Sequence, residues 1–405
     1  MEKVFLKNGA KIIYEYRTGN ITSFCIGFNS GALVENGNQK GLAHAVEHML
    51  FKGTIKRNEN DINKLCDEVF GFNNAMTNYP YAIYYGTSLS QDFEEAFELY
   101  SDIVLNPVFP KEGFIEEINI IKEELKEWKD DISQLCEDEL FYNAFSTRRI
   151  KELIIGDEKS ISNFTPEDII NFYKQHYLPN NCVITVVSSL PFHIVKKTVC
   201  MYFDNWNADI NIEIKSTDYE LNKPGIFSDK HKGIKGAKIQ YLFPIDKLSN
   251  RELKALSLFN VVFGEGSSSL LFDEVRTKKG LAYEVFSSIK NEYGIKLFSI
   301  FVGTSYENIQ ITIETINNAI NKAITSLNLD RQQIEKLAKS LKLRKELKLE
   351  KSIELCKALA TYEIMYDSCE LLFEEINDLE GISEEEIINV AKKVLKDPTI
   401  QVISA

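Results

Sequence analysis

Proline is scarce in this chain, nine in 405 residues, and its seven cysteines include no Cys-x-x-Cys pair. The first point excludes a proline-rich linker or a collagen-like repeat, and the second excludes the common zinc-ribbon and thioredoxin-type motifs. An odd number of cysteines, scattered at 25, 66, 136, 182, 200, 356 and 369, makes a poor disulfide framework, so the thiols are expected to be reduced. Cys25 and Cys182 lie inside apolar runs and read as core residues. No run of 18 apolar residues occurs, and Met1 to Lys7 lacks the apolar stretch of a signal peptide. A cytoplasmic protein with no membrane partner is therefore expected. Basic residues are outnumbered, 47 Lys and Arg against 60 Asp and Glu for a formal net charge of -13, which argues against nucleic acid as a partner.

Aromatic residues are plentiful, with 25 Phe and 18 Tyr in a chain that is 44% hydrophobic. At about 150 residues per domain this length makes two or three domains, each able to bury its own core. The first thirty residues read as a hairpin, Val4–Leu6 and Lys11–Tyr16 around an Asn8-Gly9 turn, followed by a strand over Ser23–Asn29. Helical periodicity starts near Gly41 and returns at 60–70, 91–106 and 110–130, with a strand at Ala82–Ser88. A second block repeats this texture, with strands near 238–243, 283–289 and 296–302 and helices over 306–325 and 331–362. The polar stretch Asn205–Gly233, with Lys223-Pro224-Gly225 in it, is the linker candidate.

The two blocks end alike. Thr165-Pro-Glu-Asp168 opens a helical stretch that stops near Pro179 and feeds Val183–Val187, and Ser383-Glu-Glu-Glu386 opens one that stops near Pro398 and feeds Ile400–Ile403. Each starts with a capping box. This pattern suggests an internal repeat of about 200 residues, although cap, helix and strand in succession are common in unrelated proteins.

Histidine is sparse, five in the whole chain, yet two fall within five residues in Gly41-Leu-Ala-His44-Ala-Val-Glu47-His48-Met-Leu-Phe51. On a helix, His44, Glu47, His48 and Phe51 share one stripe about 100° wide, and apolar residues cover the rest. Such a helix is buried, so its polar stripe needs a partner. Two imidazoles at i and i+4 can bind one Zn²⁺, and a Glu between them can take a proton from a water. The bland reading is two core histidines bonded to backbone, but with His this rare an accidental His-x-x-Glu-His is expected roughly once in a hundred or more such chains.

A third ligand is best sought on the helix expected after Pro110. With Glu117 at zero, Glu124, Ile121, Ile120 and Trp128 fall within about 60°, while Asn119, Lys122, Glu123, Lys126 and Glu127 lie on the far side. A carboxylate facing a core needs a cation or a donor. Glu124 is the expected third ligand, and Glu117, two turns earlier, the expected carboxylate that orients a ligating His.

These residues resemble the insulinase/pitrilysin family of zinc peptidases, in its half-length branch that includes the mitochondrial processing peptidase. Gly41-Leu-Ala-His44-Ala-Val-Glu47-His48-Met-Leu-Phe-Lys-Gly-Thr54 is similar to that family's G-x-A-H-x-x-E-H-x-x-F-x-G-T block, and its third ligand falls on Glu124. Asn74-Ala75-x-Thr77 resembles the family's N-A-x-T strand, and Arg276-Thr-Lys-Lys-Gly-Leu-Ala-Tyr283 its R-x-x-x-G-L-A-Y motif. Phe72 departs from a usual Gly, and Pro80 and Ala82 stand where an acidic residue and a Thr are usual, which bears on subsite preference and not on the metal site.

The resemblance implies two related α+β domains, each an antiparallel β-sheet packed with α-helices, at 1–212 and 226–405 with a linker at 213–225. It implies one zinc per chain on His44, His48 and Glu124, and Glu47 as general base. Asn74 and Ala75 are to offer backbone groups to an extended peptide, while Arg276 and Tyr283 hold the substrate near its scissile carbonyl. It also implies a chamber built from two halves, by a homodimer or by a heterodimer with a paralogous chain. The alternatives are a non-catalytic partner subunit or scaffold of a processing peptidase, and an iron or manganese enzyme on another fold.

Overall fold

The computed structural model describes residues 1–207 and 219–405, so 213–218 of the expected linker lie outside the described residues. The chain divides into two compact units. The first comprises Met1–Lys126, Leu153–Ser216 and Leu347–Leu372, and the second Glu127–Glu152, Thr217–Glu346 and Phe373–Ala405.

The first unit holds a six-stranded sheet of β1 (Glu2–Phe5), β2 (Lys11–Tyr16), β3 (Ile21–Phe28), β4 (Phe72–Thr77), β5 (Ala82–Leu89) and β6 (Cys182–Ser188). The second holds five strands, β7 (Gly225–Lys230), β8 (Ala237–Pro244), β9 (Ala282–Lys290), β10 (Leu297–Thr304) and β11 (Thr399–Ser404). The spatial orders are β1-β2-β6-β3-β5-β4 and β7-β11-β8-β10-β9. Apart from β1, the sheets match strand for strand, β2 with β7, β6 with β11, β3 with β8, β5 with β10 and β4 with β9. Each contains one parallel pair, β2 with β6 and β7 with β11, among otherwise antiparallel neighbours. The internal repeat read from the ends of the two blocks is thus a repeat of topology, and the helices that close the blocks, Pro166–His176 and Glu384–Val394, do begin in capping boxes.

Both faces of the first sheet are covered, which follows from its strands being apolar at consecutive positions. In β2 and β3, Ile12, Tyr14, Phe24 and Ile26 face one core, while Ile13 and Cys25 face another formed with Leu355, Cys356 and Leu359. The latter residues belong to helix Ser352–Tyr366, so a segment late in the chain completes the first unit. Helix Ile132–Ala144 does the converse, packing on β8 and β11 of the second unit. A division at 212 and 226 separates the two sheets apart from Gly225, the first residue of β7, which falls in the linker, yet these two helices are counted with the other half's sheet.

Three expectations about elements change. The helix expected over 331–362 is two, Arg331–Leu349 and Ser352–Tyr366, because the second turns to cover the first sheet. The stretch Asn205–Gly233 contains β7, an edge strand paired only with β11 and largely exposed, which is why it carries no apolar alternation. On helix Phe114–Asp130, Ile120 is exposed while Ile118 and Leu125 are buried, so the core face is turned by about half a residue step toward Ile118. No described helix is long and apolar enough to cross a membrane, and all seven cysteines are unpaired, with Cys25 and Cys182 buried.

Candidate metal centre

Helix Leu42–Leu50 is sealed on most of its surface by buried Leu42, Ala43, Ala45, Val46, Met49 and Leu50, which leaves His44, Glu47 and His48 along its one open stripe. Its start is fixed by Gly41, whose φ of 90° suits glycine and whose Cβ, if present, would lie 2.3 Å from the Ile155 carbonyl oxygen. Glu35 Oε1 accepts from the Gly41 and Ala43 amides at 3.1 and 2.9 Å and so supplies the cap that a glycine cannot. The same stripe faces helix Phe114–Asp130, which brings up Glu117 and Glu124.

His44 Nε2 and His48 Nε2 are 3.3 Å apart, and Glu124 Oε2 lies 3.8 Å from the first and 3.4 Å from the second. Ligands held about 2.0–2.1 Å from a tetrahedral zinc are separated by about 3.3–3.4 Å, so two edges of this triangle match one face of a zinc tetrahedron and the third, His44 to Glu124 at 3.8 Å, is a little longer. Two His and one Glu are also a donor set that catalytic zinc uses, with the fourth corner open. The residues present therefore fit the ion. Glu124 sits at the margin of the core face, its side chain 39% exposed, as suits a carboxylate directed into a cleft. Glu123 points away and pairs with Lys126 at 2.7 Å.

Glu117 is buried and accepts from His48 Nδ1 at 2.7 Å, which turns the other ring nitrogen, Nε2, toward His44 and Glu124. Burial opposes charge on His48, but its hydrogen bonds to Glu117 and Glu124 outweigh it and lift the imidazole to about 9. His44 moves the other way, to about 4, through burial and the neighbouring His48, with Glu124 opposing. The two rings are thus pushed apart, His48 toward and His44 away from the charged form, by the carboxylates that flank His48 and by the burial of His44. Burial disfavours charge on Glu117, but His48 and Lys52 hold it below the usual carboxylate range; Glu124 is lowered chiefly by His48. Glu47 is raised by burial, against the hydrogen bond its Oε2 accepts from Thr77.

A cleft of about 630 Å³ opens over these groups and is walled by Asn74 and Ala75 of β4, the exposed edge of its sheet. Of the three departures noted in the sequence, Pro80 and Ala82 are buried beyond β4, and Ala82 opens the interior strand β5; only Phe72 is exposed on the edge strand. Arg276 and Tyr283 belong to the second unit. There Arg276 Nη1 donates to the Tyr283 carbonyl at 2.5 Å, and the Tyr283 side chain, on β9, is 90% exposed. Since β9 is the counterpart of β4, both candidate substrate strands are edges at the same place in the repeat. Sequence reasoning missed Thr77 and Lys52. Both stood in the quoted blocks, and the spacing of Lys52, four residues after His48, was the available signal.

A candidate His-His-Glu metal site on one half of an α+β chain with a repeated sheet topology is what fold and site together define. The chain belongs to peptidase family M16, the insulinase family: residues 11–158 match the model described as insulinase (peptidase family M16), and residues 163–341 the model described as the peptidase M16 inactive domain. All the candidate metal ligands lie in the first of these stretches. A Bacillus subtilis protein named an uncharacterized zinc protease is 24% identical over 396 residues, 96% of this chain and 95% of its own. The Arabidopsis thaliana protein named as a probable mitochondrial-processing peptidase subunit beta is 26% identical over 224 residues, 55% of this chain and 42% of its own. The crystal structure of a protease from Helicobacter pylori superposes with a TM-score of 0.91 at 20% identity, over 100% of this chain and 99% of that one.

Proposed function

We propose that this chain is a zinc-dependent endopeptidase that hydrolyses peptides or unstructured segments, with one zinc per chain on His44, His48 and Glu124. The observation that carries this reading is the meeting of those three donor atoms, all within 4.8 Å of one another, beside a carboxylate that is not among them. When bound, the ion supplies a Lewis acid that polarises the scissile carbonyl and brings a water close to deprotonation at neutral pH. Glu47 takes the proton from that water and returns it to the leaving amine. Thr77 holds its Oε2, and burial makes the carboxylate a stronger base. Asn74 and Ala75 receive the substrate as an added strand along β4.

Arg276 and Tyr283 clamp the substrate backbone or the oxyanion. A tyrosine ring left as exposed as Tyr283 forgoes burial energy within its own chain, which favours a role toward something outside it. We further propose that a second chain, a copy or a paralogue, supplies the other half of the chamber, and that the protein works in the cytoplasm, in keeping with its unpaired thiols.

Metal analysis with one fluorogenic peptide assay tests the reading. Zinc near one per chain, with turnover abolished by a chelator and restored by Zn²⁺, is expected. Zinc-free protein without turnover points to the scaffold reading, and iron or manganese without peptidase activity to a different metalloenzyme.

A further inference from the structure

We infer that Lys52 is a positioning residue for the metal centre, acting through Glu117 on His48; the inference rests on the proposed zinc site. Lys52 lies just past the end of the metal-binding helix, its amide donating to the Met49 carbonyl at 3.3 Å, and its side chain folds back to within 14% exposure. Its ammonium nitrogen stands 2.5 Å from Glu117 Oε2 and 2.8 Å from Glu59 Oε1. Burying a lysine this far costs solvation, so the position is held by what the ammonium touches.

Glu117 shows what that is. Its side chain is 7% exposed, and its Oε1 is committed to His48 Nδ1. Its Oε2 is buried and makes no aligned hydrogen bond, so the ion pair with Lys52 is the contact that engages it. The terminal torsion of a glutamate is broad and roughly two-fold, so a carboxylate held at one oxygen can swing. Held at both, its plane is set, and with it the direction of the His48 ring and of Nε2. Glu59 anchors the lysine from helix Glu59–Val69, so the ring is braced by two neighbouring helices through one ammonium group.

The test is zinc affinity, measured on the full chain by competition with a chromophoric chelator, so that it needs no peptide turnover. Lys52→Met is expected to weaken zinc binding by about 10- to 100-fold, the usual cost of losing a group that orients a ligand. Lys52→Arg, which can still pair with both carboxylates, is expected to stay within about threefold of the original. Because Lys52 acts through Glu117, adding Lys52→Met to Glu117→Gln should cost no more than about a further twofold. If Lys52→Met does not fold, Lys52→Gln runs the same cycle. Unchanged affinity in the single variant, or losses that multiply in the double, overturns the inference. An original chain that binds no zinc overturns the metal-centre reading itself, whereas one that binds zinc and cleaves no peptide leaves the Lys52 result intact.

Discussion

Glu47 and His48 are neighbours in sequence, yet the proposed function gives them different work, and substitution separates the two. Glu47→Gln is expected to keep about one zinc and lose nearly all turnover, because the proposed mechanism has that carboxylate handle protons without binding the ion. His48→Ala should lose both; a metal-free Glu47→Gln protein would show that the roles are misassigned. For the paired glutamates, Glu124→Gln should cut zinc affinity severely, and Glu123→Gln, whose side chain meets Lys126 in solvent, should leave metal content unchanged within error. Asp138, in the second unit, gives a pH-dependent signal. Burial raises its carboxyl to about 6, against hydrogen bonds from Trp128 Nε1 at 2.7 Å and Gln134 Nε2 at 2.9 Å. A carboxyl raised on folding from an ordinary 3.8 binds its proton more tightly in the native state, so its contribution to stability is full below about pH 4 and is lost as pH rises through 6. In a Trp206→Phe background, Trp128 fluorescence should titrate with a midpoint near 6, and Asp138→Asn should abolish the step.

Among the elements, the two end helices show what local sequence can fix. Thr165 with Asp168 and Ser383 with Glu386 are readable as caps because the box satisfies backbone donors within four residues, whatever packs around it. Ser383→Ala should therefore cost about 1 kcal/mol in denaturant unfolding. Helix Ser352–Tyr366 is the opposite case. Its apolar residues promise burial without saying against which sheet, and it is Glu363 that ties it down, fully buried and paired with Lys3 and Lys11 at 2.8 and 2.9 Å. Glu363→Ala leaves two lysines facing a buried hole and is expected to cost about 3 kcal/mol or more, read as a lowered denaturant midpoint. Smaller losses would mean that its apolar packing and the hydrogen bonds of Ser352 and Cys356 to the sheet suffice to hold the helix.

For the whole molecule, the proposed chamber makes activity a property of two chains. If each zinc faces the partner's Arg276 and Tyr283, then Glu47→Gln and Arg276→Ala, each inactive alone, should rescue one another when co-refolded, returning roughly a quarter of the original site density under random pairing. A mixture as inactive as its components would place Arg276 with the zinc of its own chain. The sequence by itself determined the stripe of His44, Glu47 and His48, the choice of Glu124 over Glu123, the caps and most of the strands, because helix and strand periodicity and hydrogen bonding between near neighbours are written over a few residues. Tertiary structure alone decided which sheet the helices at 132–144 and 352–366 cover, that the polar stretch at 225–230 is a strand, and that Lys52 and Thr77 brace the centre. Those outcomes depend on which surface remains to be buried and which buried charge needs a partner, and both are set by residues far away in the chain.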